Sequence, residues 1–306
     1  MPVCAGLYLL RKWNRGGQFT ENVSAIGKVA VVTGGNSGVG KALCELLNKR
    51  GAKVYMLCRD EKRAAQAKAK LVEDGCDPQR LIIRKGNLDD FTSIQAVAKT
   101  LLAEESRIDI LINNAGVLGI PSFEKTVDGF ERTWQSNHLG HFLLTELLLK
   151  SIKRSSDPRI VNVSSEIHSK GDTIDLDFVN DAKNYARMMI YARSKLANVM
   201  YSRELSHRHP RILSSSCHPG NINTNILATS GLIILKQIFA PIFWFCFKTE
   251  MDGAQTALYL ALSQRLPGNG LYYSDCVVVE EAAIARDRKE CEKLYEQSLN
   301  AVKEYL

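Results

Sequence analysis

From Lys28 onward the chain alternates between short apolar runs and longer stretches whose apolar residues recur every three or four positions. The runs lie at 29–33, 54–58, 81–83, 108–112, 160–163 and 212–217. They are almost continuously apolar rather than alternating, which suits strands covered on both faces, as in a parallel sheet. Between them, 41–49 brings Leu43, Leu46 and Leu47 to one helical face, and 61–73 is rich in the good helix formers Ala, Lys and Gln. Regular strand–helix–strand alternation predicts an α/β, doubly wound fold with a parallel sheet of about seven strands flanked by helices.

No linker, repeat or low-complexity stretch divides this pattern, so 27–306 reads as one domain behind an N-terminal extension, 1–26. Residues 3–10 are apolar and are followed by Arg11, Lys12 and Arg15. A membrane span needs roughly 20 apolar residues, and a secretory signal carries its positive charge ahead of the apolar run, not after it. The extension is expected to be a frayed terminus or a turn of helix, with peripheral membrane contact as its functional reading. The protein is accordingly expected to be cytoplasmic or peripherally membrane-associated. One later segment departs from the alternation. Residues 231–247, GLIILKQIFAPIFWFCF, are apolar but broken by Lys236, Gln237 and Pro241. They follow the sixth strand, where an open α/β sheet has its ligand crevice. They read either as part of a lid spanning about 225–250 over an apolar substrate, or as a buried helix pair.

The chain has 306 residues, 45% hydrophobic and 24% charged, an ordinary balance for a globular protein. A formal charge of +7 admits nucleic acid, an acidic membrane or a phosphorylated cofactor as partner. No basic run is interleaved with aromatics, which argues against nucleic acid. The eight cysteines form no C-x-x-C pair and stand at no metal-ligand spacing from a histidine. They read as free thiols in a reducing compartment, and no metal site is expected.

Candidate chemistry begins where the first strand ends. Thr33-Gly34-Gly35-Asn36-Ser37-Gly38-Val39-Gly40 closes it and opens a helix. Glycines there let the backbone turn tightly and approach a pyrophosphate, which the helix N-terminus then binds. This is the Rossmann-type dinucleotide turn. At the tip of the second strand stands Cys58, followed by Arg59. A carboxylate at the tip would favour NAD; an arginine beside it accommodates the extra phosphate of NADP, so NADP(H) is expected rather than NAD(H).

A second candidate is Tyr191-Ala-Arg-Ser-Lys195, whose ends share one helical face. A phenol with an ordinary pKa of about 10 is a poor base at neutral pH. A neighbouring ammonium and an oxidised nicotinamide would favour the phenolate. Tyr191 could then take a proton from an alcohol, or give one to a carbonyl in reverse.

Taken together, these motifs resemble those of the short-chain dehydrogenase/reductase superfamily, in their usual order. The others are Asn113-Asn114-Ala115-Gly116, Asn137 in Asn137-His-Leu-Gly140, Val163-Ser164-Ser165, and Pro219-Gly220 with Thr224. The resemblance covers residues 28 to about 225 and implies roles for the matching positions. Gly34, Asn36, Ser37, Gly38, Val39 and Gly40 would hold the pyrophosphate, and Asn114, Ala115 and Gly116 would border the adenosine. Asn137 would hold a helix bulge and a water in the proton relay. Ser165, rather than Ser164, would bond the substrate oxygen. Lys195 would grip the nicotinamide ribose and lower the pKa of Tyr191, and Pro219, Gly220 and Thr224 would seat the carboxamide. In Gly86-Asn87-Leu88, Asn87 stands where the family usually has an adenine-contacting Asp; it keeps an acceptor but loses a charge.

The chain is similar in particular to the retinol dehydrogenase-like branch, through Asn137-His-Leu-Gly-His-Phe-Leu-Leu144, Ser194-Lys-Leu-Ala-Asn198 and Gly253-Ala-Gln-Thr256. His218-Pro-Gly-Asn221 and Ser164-Ser-Glu166 also resemble the oxidoreductase domain of the WW-domain-containing oxidoreductase, without the paired tryptophans of a WW module. The resemblance implies an NAD(P)-dependent enzyme acting on an apolar alcohol/carbonyl pair such as a retinoid, steroid or lipid aldehyde. It also implies pairing into a homodimer through helices at 126–150 and 191–207. The alternative is a cofactor-binding scaffold or sensor with incidental catalysis, which would need no Ser165, Tyr191 and Lys195 together.

Overall fold

The computed structural model describes residue 11, residues 14–220 and residues 248–306. Among the described residues, eight strands form one sheet in the order β3-β2-β1-β4-β5-β6-β7-β8. They are β1 (Val29–Thr33), β2 (Lys53–Cys58), β3 (Leu81–Lys85), β4 (Ile110–Asn113), β5 (Arg159–Val163), β6 (Leu213–His218), β7 (Tyr272–Ser274) and β8 (Val277–Val278). The first seven run parallel, and β8 turns back antiparallel on β7. The parallel sheet is the expected one. The short edge strand β8 is an addition, its two residues exposed.

The alternating pleat sorts each strand's side chains onto two faces. Val29, Val31, Tyr55, Leu57, Leu111 and Ile160 face one way. There they meet α3 (Phe91–Glu104), α4 (Gly140–Ile152), α5 (Arg187–Arg208) and α7 (Arg288–Val302). Ala30, Val32, Val54, Met56, Ile110 and Val161 face the other, against α1 (Gly38–Lys49), α2 (Glu61–Glu73) and α6 (Glu250–Leu262). Both faces are covered, which is why most strand positions are apolar, the buried Ser214, Ser215 and Ser216 of β6 being the main exception.

Two helix boundaries differ from expectation. The helix anticipated from residue 126 starts at Arg132, because the Glu131 carboxylate accepts from Thr133 N and Trp134 N and so caps it. Thr126 instead sits in a turn, with Thr126 N donating to Phe130 O at 2.9 Å. From Arg132–Trp134 the chain passes through a π-helical turn, Gln135–Leu139, into α4. Likewise α5 begins four residues before Tyr191, at Arg187.

The described part of the N-terminal extension is anchored rather than frayed. Phe19 is buried edge-on against Tyr259 of α6, ring centroids 6.0 Å apart. Arg11 Nη2 and Arg15 Nε reach the Asp252 carboxylate at 2.7 and 2.9 Å. The same carboxylate accepts from Thr249 N and completes the capping box of α6. No helix among the described residues is long and apolar enough to cross a membrane.

Strand order reverses direction at β1, with β2 on one side and β4 on the other. The chain therefore leaves β1 and β4 toward opposite halves of the sheet and opens a crevice at their C-terminal ends. The cleft described next lies there.

Candidate active site

A cleft of about 540 Å³ runs along these strand ends, lined by Gly34, Asn36, Ser37, Val39 and Gly40 from the β1–α1 turn. Its wall continues through Arg59 after β2, Asn87 and Leu88 after β3, and Asn114, Ala115 and Gly116 after β4. Tyr191, Lys195 and Pro219 complete it. The turn suits a pyrophosphate. The α1 N-terminus has no side-chain cap and no acid in its first turn, so nothing competes with an anion for its N–H groups. Gly38 has φ 55°, and a Cβ on Gly40 would lie 2.3 Å from Gly34 O. A dinucleotide is what these residues fit.

Thr33 locks this turn to the strand across the switch point. Its Oγ1 accepts from Asn114 N at 2.9 Å and Ala115 N at 3.0 Å. Its own proton then goes to His141 Nε2, 2.8 Å away, and His141 Nδ1 donates to Asn137 O at 3.1 Å. Burial drives the His141 pKa down to about 4, so the ring stays neutral in this chain of bonds. Asn137 lies in the π turn, fully buried. Its Oδ1 accepts from Val117 N at 2.8 Å, and its Nδ2 donates to Val117 O and Ser194 Oγ, both at 3.0 Å. The side chain thereby bolts α4 to the loop after β4 and to α5.

On α5, Tyr191 and Lys195 stand one turn apart, the ammonium 5.7 Å from the centre of the phenol ring. Lys195 Nζ donates to Val163 O at 3.0 Å. Gly116 passes so close that a Cβ there would lie 3.2 Å from that nitrogen. The two serines after β5 separate by role. Ser164 lines the cleft but its Oγ donates to Lys195 O at 2.7 Å, whereas the Ser165 side chain neighbours the Tyr191 phenol and favours its ionised form.

The electrostatics run against the simplest expectation. Burial pushes the Tyr191 phenol up, and the neighbouring Ser165 hydroxyl only partly offsets it. Burial also drives the Lys195 ammonium down to about 8. Burial of the phenol therefore holds Tyr191 neutral in the protein alone.

A stability prediction follows with its sign. Lys195 is charged at pH 7, and its folded pKa lies below the unfolded value of about 10.4. Its charge therefore costs stability, and the cost is relieved as pH rises from 8 toward 10. Lys195→Met should melt above the wild type at pH 7, and the gap should shrink by pH 9.5. A gap that does not change with pH would show that the fold leaves the lysine's pKa where it is in the unfolded chain, and one that widens would show that the fold raises it.

Arg59 is exposed on the cleft rim, Nη1 3.2 Å from Asp89 Oδ2. Asp89 also accepts from Arg132 Nε at 3.1 Å and from Ser136 Oγ. Sequence reasoning missed this carboxylate, because its partners lie 30 to 47 residues away. Asn87 Oδ1 accepts from Asp89 N at 3.2 Å, so the acceptor expected for adenine is used within its own loop. Pro219 lines the cleft. Gly220 instead faces a second cavity, of about 640 Å³, with Glu166, His218 and Lys248. Thr224 and the apolar 231–247 segment lie outside the described residues.

Sheet, crevice and glycine turn define a nucleotide-dependent dehydrogenase. The chain belongs to the short chain dehydrogenase family, whose model matches residues 28–231. Retinol dehydrogenase 12 of Mus musculus is 41% identical over 293 residues, spanning 94% of this chain and 90% of the relative. Retinol dehydrogenase 14 of Homo sapiens is 40% identical over 288 residues, spanning 89% and 85%. Such relatives place the chain in the retinol dehydrogenase-like branch. Among solved structures, a Mycobacterium paratuberculosis protein superposes with a TM-score of 0.75 at 30% identity, covering 94% of this chain and 98% of its own. A short chain dehydrogenase from Escherichia coli CFT073, solved with NADPH, superposes with a TM-score of 0.66 at 21% identity, covering 84% and 99%, and shares the fold. Family membership makes the protein an NAD(P)-dependent oxidoreductase acting on CH–OH donors.

Proposed function

We propose that the protein interconverts an apolar alcohol and its carbonyl, of retinoid, steroid or lipid-aldehyde type, with NADP(H) as hydride carrier. The observation that carries this reading is the convergence of the Tyr191 phenol and the Lys195 ammonium in one cleft with the glycine turn, with Ser165 beside the phenol. The named activity of the retinol dehydrogenase relatives supports the apolar substrate class.

In this reading Gly34, Asn36, Ser37, Gly38, Val39 and Gly40 hold the pyrophosphate by backbone N–H groups and the helix dipole. Arg59 meets the 2′-phosphate with its planar fork. Asn87 and Leu88 border the adenine, Asn114, Ala115 and Gly116 the adenosine side, and Pro219 the carboxamide, whereas Gly220 faces the second cavity and Thr224 lies outside the described residues. Bound NADP(H) supplies or accepts the hydride, and its oxidised ring adds the positive charge that a phenolate needs. Ser165 bonds the substrate oxygen and points it at Tyr191. In reduction, Tyr191 Oη gives its proton to that oxygen; in oxidation it takes the proton back. Lys195 holds the ribose hydroxyls and favours the phenolate, and Asn137 fixes the bulge beside it.

The test is turnover of all-trans-retinal and medium-chain aldehydes with NADPH and with NADH. Reduction of the apolar aldehydes with NADPH preferred is the expected result. Turnover of none of them, with cofactor bound, would leave only a binding protein. Arg59 gives a sharper version. A charge-assisted contact is worth roughly 1.5–3 kcal/mol, so Arg59→Ala should weaken NADPH about tenfold or more and barely affect NADH. Equal loss for both cofactors would reduce Arg59 to the surface partner of Asp89.

A further inference from the structure

Ser165 ends the β5 segment in extended backbone, and a single tight turn, Glu166–Lys170, follows it. One side chain in that turn grips the serine. His168 Nδ1 lies 2.8 Å from Ser165 O, alongside the 3.0 Å bond that His168 N makes to the same carbonyl. On the far edge of the ring, Nε2 lies 3.2 Å from Ala282 N. A carbonyl can only accept and a backbone N–H can only donate. The ring proton must therefore sit on Nδ1, and Nε2 must be bare.

The imidazole is buried, 2% exposed, and packs on Tyr272 of β7 with ring centroids 4.4 Å apart. Burial holds its pKa below the ordinary value, consistent with the neutral ring that both partners require. Ala282 caps the short helix Ala283–Arg286, which packs on α5, the helix that carries Tyr191 and Lys195. His168 thus ties the turn bearing Ser165 to the C-terminal segment, and through it to the helix bearing the acid.

We propose that His168 is a positioning residue for the reaction: a neutral, Nδ1-protonated strut that holds the Ser165 hydroxyl in register with Tyr191. The inference rests on the reading of Ser165 as the residue that binds the substrate oxygen. Packing alone would ask for a flat apolar ring on Tyr272. The two hydrogen bonds of opposite sense, with one end on the serine's own carbonyl, are what a mere core residue would not need.

The variants His168→Phe, His168→Asn, Ser165→Ala and the double variant His168→Phe/Ser165→Ala separate these roles. Phe keeps the ring against Tyr272 and removes both hydrogen bonds. Misplacing a reacting group by about 1 Å can cost on the order of 10²-fold, so His168→Phe should lower kcat by about ten- to a hundredfold. The Kd for NADPH, read by fluorescence titration, should stay within about twofold. His168→Asn, which keeps a donor for the carbonyl, should recover part of the loss. Because the effect runs through the serine, adding His168→Phe to Ser165→Ala should change kcat by less than about twofold. Wild-type kcat in His168→Phe, or losses that multiply in the double variant, would overturn the proposal. If His168→Phe melts below the assay temperature, His168→Asn and its own double with Ser165→Ala make the same comparison. A fully active Ser165→Ala would overturn the serine reading and this proposal with it. An inactive Ser165→Ala beside a fully active His168→Phe would overturn this proposal alone.

Discussion

Tyr191→Phe is expected to lower turnover by about 10²–10⁴-fold, the usual contribution of a positioned general acid or base, while NADPH binding survives. Phe fills the same space, so the packing of the ring beneath the Lys195 ammonium is kept. Only the titrating oxygen and its interaction with the neighbouring Ser165 hydroxyl are lost. The pH dependence adds a second signature. Burial raises the phenol, so the protein alone keeps it protonated through neutral pH. Carbonyl reduction, which needs the acid, should fall as pH rises; alcohol oxidation, which needs the phenolate, should climb over the same range. The variant's residual rate should show neither limb. Steady-state rates in both directions from pH 6 to 10 are the measurement. A variant with near-normal kcat, or one that keeps the wild-type pH profile, would remove Tyr191 from the chemistry.

Parts of this site were legible in the chain because their chemistry is local. The glycine turn reads off eight consecutive residues, since positive φ and close backbone approach are properties of glycine itself. Tyr191 and Lys195 share a helical face by spacing alone. The parallel strands were visible because burial on both faces demands unbroken apolar runs. Other features depend on tertiary partners and left no local trace. Nothing in the spacing of apolar residues marks the π turn at Gln135–Leu139. Asn137 was reached only through its resemblance to a family motif. Glutamate is an unusual N-cap, so the helix start at Glu131 was placed too early, at Thr126. The strands β7 and β8, three and two residues long, are shorter than any period that could announce them. Asp89 and His168 act through residues distant in sequence, Arg59 and Ala282, that only the folded sheet brings to them.

Gly40→Ala is expected to act on cofactor binding rather than on chemistry. A Cβ at residue 40 would lie 2.3 Å from Gly34 O and 2.5 Å from Asn114 Nδ2, contacts that no real methyl makes. Neither neighbour can give way cheaply. Gly34 N is held by Leu57 O at 2.8 Å, and Asn114 Nδ2 by Thr33 O at 2.8 Å. The first turn of α1 must move instead, and with it the N–H groups that meet the pyrophosphate. Overpacking of this kind costs roughly 1–3 kcal/mol of stability. The displaced turn should weaken NADPH by at least about tenfold, in line with the loss of one charge-assisted contact. Gly38 provides the contrast within the same turn. Its Cβ would meet open space, but its φ of 55° is left-handed. Gly38→Ala should therefore lose roughly 1–2 kcal/mol through strain, and less of its NADPH affinity than Gly40→Ala loses. Thermal melts and NADPH titration of the two variants, side by side, make the comparison. If Gly40→Ala binds NADPH as tightly as the wild type, the α1 N-terminus is not where the pyrophosphate sits.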